Sequence, residues 1–243
     1  MKPKIDKRDS KIDRKDLRVG IRQLTLPSGK KRKQRISVII SGMSSVGKTT
    51  AANVIAKKFN LKHLAGGDML KQMAIERGYA PSGPDWWDSP EGMKFLSERK
   101  TNLNFDREVD RRLIKEIRSG GVVVTSYPIP WLCSAGLKLW FSASQMARAK
   151  RLAGRDSVSL AKALKIIRRR DAQNKKLYHE LYGINFGTDL SVFNFIIDTE
   201  RLSAEQVAKV ASDLVRDYQK VDTRRTRVIQ SVTIPDLHDQ VEL

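Results

Sequence analysis

Gly42-Met43-Ser44-Ser45-Val46-Gly47-Lys48-Thr49 is the stretch on which the reading of this chain turns. It matches G-x-x-x-x-G-K-[ST] at every fixed position, the pattern of a loop that cradles nucleotide phosphates. Ile36-Ser37-Val38-Ile39-Ile40-Ser41 before it is short and β-branched and predicts a buried strand. Thr49 to Phe59 after it predicts a helix. The chemistry explains the spacing. Gly42 and Gly47 let the backbone wrap closely, and successive N–H groups of Met43, Ser44, Ser45, Val46 and the helix start, with Thr50, form an anion nest. Lys48 then reaches the β- and γ-phosphates of ATP, and the Thr49 hydroxyl is the candidate ligand for Mg²⁺. The alternative, an ordinary glycine-rich turn between strand and helix, leaves Lys48 and Thr49 without a role.

At 243 residues, with 40% hydrophobic and 30% charged content, the chain has material for one substantial core. Its single cysteine, Cys133, forms no internal disulfide, and no Cys/His group has metal-ligand spacing. No run of about 18 apolar residues appears, so no membrane association and a cytoplasmic location are expected. The net charge of +20 is uneven: residues 1–35 hold 14 Lys and Arg against four Asp. That basic segment has no apolar period and reads as a disordered extension. It is either an arm that contacts RNA or the ribosome through phosphates, or a solvated appendage.

Downstream, Leu61–Ala65 predicts a second strand and Asp68–Arg77 a helix stopped by Gly78. Asp68 reads either as that helix's N-cap or as a group facing the phosphate loop from the neighbouring strand end. His63 reads as strand packing. Trp86 and Trp87 sit in a turn-rich stretch, where burial of area competes with capping of a pocket. Val109, Leu113 and Ile117 give a helix over 106–117. Strands follow at 122–125, 137–141 and 192–197, and a last helix at about 204–218. This alternation predicts an α/β, P-loop NTPase fold: a five-stranded parallel sheet with helices on both faces.

Residues 155–178 carry the apolar stripe Leu160, Leu164, Ile167, with Lys162, Lys165, Arg169 and Lys176 on another face. Such a segment suits a mobile lid whose guanidinium groups close over a transferred phosphoryl group, and it equally suits a solvated basic helix.

The phosphate loop, Ala65-Gly66-Gly67-Asp68, and Tyr182-Gly183-Ile184 with Asp189, Ser191, Ile197, Thr199, Ser203, Glu205 and Val207 resemble the archaeal type of cytidylate kinase, from about Ile36 to Tyr218. The resemblance implies a kinase domain over 36–219, followed by a tail at 220–243. Within it a nucleoside monophosphate-binding insertion at 68–118 and a lid at 154–180 are expected. It implies γ-phosphoryl transfer from ATP, with Mg²⁺, to CMP or dCMP; a monomer, or a weakly associating chain, is expected. Carried over, Lys71 and Arg112 with Asp68 hold the acceptor, and Arg169, Arg170 and Asp171 serve catalysis beside Lys48. The departures are on the acceptor side. Thr125-Ser126-Tyr127 stands where the family has an acid, Gly and Arg, which puts Tyr127 in the acceptor site. Leu113 replaces a Gln, and Leu177 an Arg close to Lys175 and Lys176. They leave open a kinase for another acceptor, reshaped by Tyr127 and Trp131, or an ATP-driven switch acting in RNA assembly through the basic arm.

Overall fold

The computed structural model describes residues 35–80 and 90–220. β1 (Val38–Gly42) leads through the phosphate loop into α1 (Lys48–Phe59). β2 (Lys62–Ala65), α2 (Gly66–Glu76), α3 (Pro90–Thr101), α4 (Asn104–Ser119), β3 (Val122–Thr125) and the short α5 (Ile129–Leu132) follow. Then come β4 (Leu137–Ser142), α6 (Gln145–Asp156), α7 (Leu160–Tyr182), β5 (Phe195–Asp198) and α8 (Ala204–Lys220). The five strands form one parallel sheet in the order β2-β3-β1-β4-β5, with Val38 in register with Val123 and Leu137.

Strand alternation distributes the core over two faces. Val38, Ile40, Val123, Leu139 and Phe141 pack with Ile55 of α1 and Ala211 and Val215 of α8. Ile39, Val122 and Val124 point the other way, onto Leu113 and Ile117 of α4, Met73 of α2 and Phe95 of α3. Val38, Ile39 and Ile40 are fully buried, and each contributes about 2 kcal/mol of transfer free energy. The strand that feeds the phosphate loop is thus held from both sides, with β3 and β4 as its neighbours.

Several local expectations change. Helix α2 begins at Gly66, and its N-cap is Ala65, extended at φ −108° and without a side-chain cap. Asp68 therefore lies inside the first turn, where it meets the positive end of the helix dipole but caps nothing. Nor is β2 next to β1, because β3 lies between them, so Asp68 does not face the phosphate loop from an adjacent strand. β5 starts at Phe195: a turn in which the Phe193 N–H donates to the Leu190 carbonyl consumes the preceding residues. Asn194 then closes on Lys138, its Oδ1 accepting the Lys138 N–H at 2.8 Å.

Residues 155–178 split between two helices. α6 ends at Asp156, and Ser159, accepting the Lys162 N–H at 3.3 Å, caps the 23-residue α7. At the other end Gly183, at φ +65°, closes α7 with its N–H on the His179 carbonyl. The final helix runs to Lys220. The segments before residue 35 and after 220, and Trp86 and Trp87, lie outside the described residues.

Candidate active site

The two loop glycines are needed for different reasons. At Gly42 (φ +144°) a Cβ would sit 2.3 Å from the Phe141 carbonyl oxygen of β4, so crowding admits only glycine. At Gly47 (φ +94°) nothing lies within 4 Å of that position; the backbone conformation requires glycine there, and the open side is the cradle a ligand would fill. Between them Ser45 adopts φ +62°, and its hydroxyl is buried without a hydrogen-bond partner among the described residues. Lys48 Nζ donates to the carbonyls of Gly42 (2.8 Å) and Met43 (2.7 Å). Burial pushes its pKa below the ordinary lysine value, Arg148 adds to that, and Tyr127 and Asp171 oppose it. Thr49 and Thr50 are exposed at the start of α1, whose first turn has no acid to neutralise its dipole.

An ammonium over the loop, an orphaned buried hydroxyl, an open cradle and a bare helix N-terminus fit a polyphosphate. The Thr49 hydroxyl is the chain's own candidate ligand for magnesium. No group of three His, Cys, Asp or Glu side chains among the described residues could hold a metal, so the remaining positions would fall to phosphate oxygens and water, as magnesium prefers.

Opposite Lys48 stands Tyr127. The ammonium lies 4.7 Å from its ring centroid, and its hydroxyl hydrogen-bonds Ser44 Oγ at 3.2 Å. Ser41 Oγ donates to its carbonyl at 2.9 Å, and Tyr178 and Phe186 flank the ring at 5.8 and 5.6 Å. Burial would raise its pKa, but the charge of Lys48, then Ser44, Arg170 and Asn174, outweigh that and pull it below the usual phenol value.

Arg148 was missed from sequence. Only 3% exposed, it donates to both carboxylate oxygens of Asp171 (2.8 and 2.7 Å), to the Ala143 carbonyl (3.2 Å) and to the Ser44 carbonyl (3.4 Å). One guanidinium therefore ties α6, α7 and the phosphate loop together. Its signal was available: Arg148 lies on the buried line of α6 beside Ala149 and Leu152, and a charge on an apolar face demands a partner.

That pairing changes the part given to Asp171. Its carboxylate is buried and held by Arg148 and by Gln145 Nε2 at 3.2 Å, so it positions α7 rather than meeting a phosphoryl group. Arg170 is exposed close enough to Tyr127 for its charge to act on the phenol. Arg169 is exposed too, but on a face turned away from the buried line of α7.

The expected acceptor residues gather elsewhere. Arg112 donates to Glu76 (2.8 Å) and Glu108 (3.0 Å). With Asp68, His63, Met69 and Gln72 it lines a groove of about 480 Å³ along β2. Lys71 is half-buried on α2. His63, which also lines that groove, bonds Asn53 Oδ1 at 2.7 Å and Thr125 Oγ1 at 3.3 Å. At the far end of α7, Tyr182 donates to Asp110 of α4 at 2.7 Å; burial, with that carboxylate, holds its phenol above the ordinary value.

Comparison with known proteins agrees with this geometry. Residues 41–144 match the family model described as "AAA domain". The chain is 35% identical over 176 residues to a cytidylate kinase of Pyrococcus horikoshii, covering 72% of this chain and 85% of that one. It is 32% identical over 188 residues to a cytidylate kinase of Methanocaldococcus jannaschii, covering 75% and 99%. The chain belongs to the archaeal-type cytidylate kinase family. It is an ATP-dependent enzyme of the nucleoside monophosphate kinase class. Among solved structures, an uncharacterized protein from Eubacterium ventriosum shares the fold at a TM-score of 0.55 and 16% identity, over 77% of this chain and 99% of that one. Within the cytidylate kinase family, this member combines an intact phosphate loop with a tyrosine at the exit of β3.

Proposed function

We propose that this chain transfers the γ-phosphoryl group of ATP to CMP or dCMP. The observation that carries the reading is the phosphate cradle itself: Lys48 held over Gly42 and Met43, with Tyr127 and Arg170 on the facing side. Loop N–H groups and Lys48 hold the triphosphate. An oxygen of the acceptor's phosphate forms the new bond to the γ-phosphorus as the bond to the bridging β–γ oxygen breaks, leaving ADP. No strong base is required, because a phosphate monoester is already anionic. Thr49 would hold magnesium, which would neutralise charge on the phosphate oxygens when bound.

The chain's own residues do the positioning. Arg148 and Asp171 fix α7 against the loop, and Arg170 supplies positive charge where the transferred group carries its negative charge. On this reading residues 68–118, containing α3 and α4, form the acceptor side, with Asp68, Lys71 and Arg112 gathered there. Residues 154–180 form the lid, and the enzyme works as a cytoplasmic monomer. CMP or dCMP as acceptor is supported by the names of the curated relatives; Tyr127 in place of a guanidinium makes the acceptor the point to test. Incubation with γ-labelled ATP and CMP should place the label in CDP. Label released as inorganic phosphate whether or not CMP is present would replace this reading with that of an ATPase.

A further inference from the structure

α7 carries more charge than one triphosphate uses. Its buried line is Ala163, Ile167, Asp171, Tyr178 and Leu181. At 100° per residue, Lys162, Lys165, Arg169 and Lys176 fall within about 60° of one another on the opposite side, and all four are exposed. At 1.5 Å per residue the row from Lys162 to Lys176 is about 21 Å long. Among the described residues only Lys176 of these four has a carboxylate within ion-pair distance, Glu180 at 3.7 Å.

An ordinary surface helix neutralises itself, and α8 does so. Lys209 pairs with Asp213 (3.6 Å), Arg216 with Asp213 (2.8 Å) and Lys220 with Asp217 (2.7 Å). In the row on α7 only Lys176 has such a partner, and the row lies opposite the helix's buried line. Near its C-terminal end a groove of about 350 Å³ is lined by Lys175, Lys176, His179 and Glu180 together with the apolar Ile184 and Phe186.

We infer that this outer face of α7 binds single-stranded nucleic acid through its phosphates. A straight row of exposed cations, three of the four with no carboxylate within ion-pair distance among the described residues, matches a polyanion, whose condensed counterions are released on binding. A protein partner would need apolar or aromatic anchors, and no large exposed hydrophobic residue lies between Lys162 and Lys176. The flexible strand follows the row, and the groove receives part of a nucleotide where it ends. The row lies on the side of α7 opposite the buried line that carries Asp171 and Tyr178, so nucleic acid and the nucleotide substrates bind together.

The test uses the full chain and a fluorescein-labelled 20-nucleotide single-stranded RNA, with binding read by anisotropy across a salt series. Lys162→Glu with Lys165→Glu should weaken binding at least about tenfold and flatten the log–log salt slope by about one unit. Lys209→Glu with Lys220→Glu makes the same charge change on α8 and should weaken it less than about threefold. The basic segment before residue 35 is common to both. The thermal midpoint should be retained in each; should the glutamates disturb folding, Lys162→Ala with Lys165→Ala should give the same ranking.

Equal weakening by the two pairs would reduce the effect to net charge and overturn the site. Displacement of the RNA by Mg·ATP with CMP would move binding to the catalytic cleft and also overturn it. Poly-L-glutamate of matched length competing better than unlabelled RNA would assign the face to an acidic polypeptide instead.

Discussion

The donor end and the acceptor end of this molecule are built in opposite ways. Eight contiguous residues, Gly42 to Thr49, form the proposed donor end, at the tip of a strand packed on both faces, and Gly42, Gly47 and Lys48 hold positions that their geometry requires. The acceptor end as proposed draws on β2, α2, α4, the β3 exit and α7. Several polar groups on these elements are already engaged: Arg112 by Glu76 and Glu108, Asp171 by Arg148, Tyr182 by Asp110. A contiguous loop binds a feature that all its ligands share, the polyphosphate, so its geometry tolerates no departure. A dispersed site recognises what varies between acceptors and can change one residue at a time, as Tyr127 illustrates.

The largest break in this contrast comes from Lys48→Ala. Loss of the ammonium should lower kcat by about 10³-fold or more, while the thermal midpoint stays close to the parent because a desolvated cation is removed from the folded state. A collapse of stability alongside activity would show that Lys48 is structural.

Arg148→Ala should instead act first on stability. Stranding the buried Asp171 carboxylate costs about 3–5 kcal/mol, read by urea unfolding. Replacing both partners, as Arg148→Met with Asp171→Leu, should recover most of that stability while kcat stays depressed, since the Ser44 carbonyl and α7 lose their common anchor. Recovery of kcat together with stability would reduce the pair to packing.

Tyr127→Phe sharpens the comparison at its boundary. Removing the hydrogen bond to Ser44 is worth about 1 kcal/mol. The prediction is a change of several-fold in KM for the acceptor with KM for ATP little altered; the reverse pattern would assign Tyr127 to the donor end.

The smallest effect is in pH. Lys48 is held below its ordinary pKa by burial, and its charged form is the one that binds phosphate. As pH rises, kcat/KM for ATP should therefore begin to fall before an exposed lysine, at about 10.4, would deprotonate. A profile flat to that point would mean that burial does not govern Lys48 in the free enzyme.

β1 and β3 were legible because they are short β-branched runs bounded by glycine, and the phosphate loop because its requirements are local. Where the reading failed, tertiary structure had overridden a local signal. Asp68 has the chemistry of an N-cap, yet the chain passes from extended Ala65 straight into helix two residues earlier. Val192 and Phe193 have strand character but are spent in a turn before β5. The Arg170-Asp171 doublet reads as one unit, whereas neighbouring residues on a helix point about 100° apart: one side chain is exposed beside Tyr127 and the other buried on Arg148. Arg148 itself escaped notice because its partners lie 23 and 104 residues away in sequence, beyond the reach of any spacing rule.

The most direct measurement is ADP release from Mg·ATP by the purified full chain with CMP, dCMP, UMP, AMP or no acceptor. The account predicts strong stimulation by CMP or dCMP, weak stimulation by the others and little release without an acceptor. Equal release in every case would contradict it, leaving a phosphate loop that hydrolyses ATP beside an acceptor site that recognises none of these nucleotides.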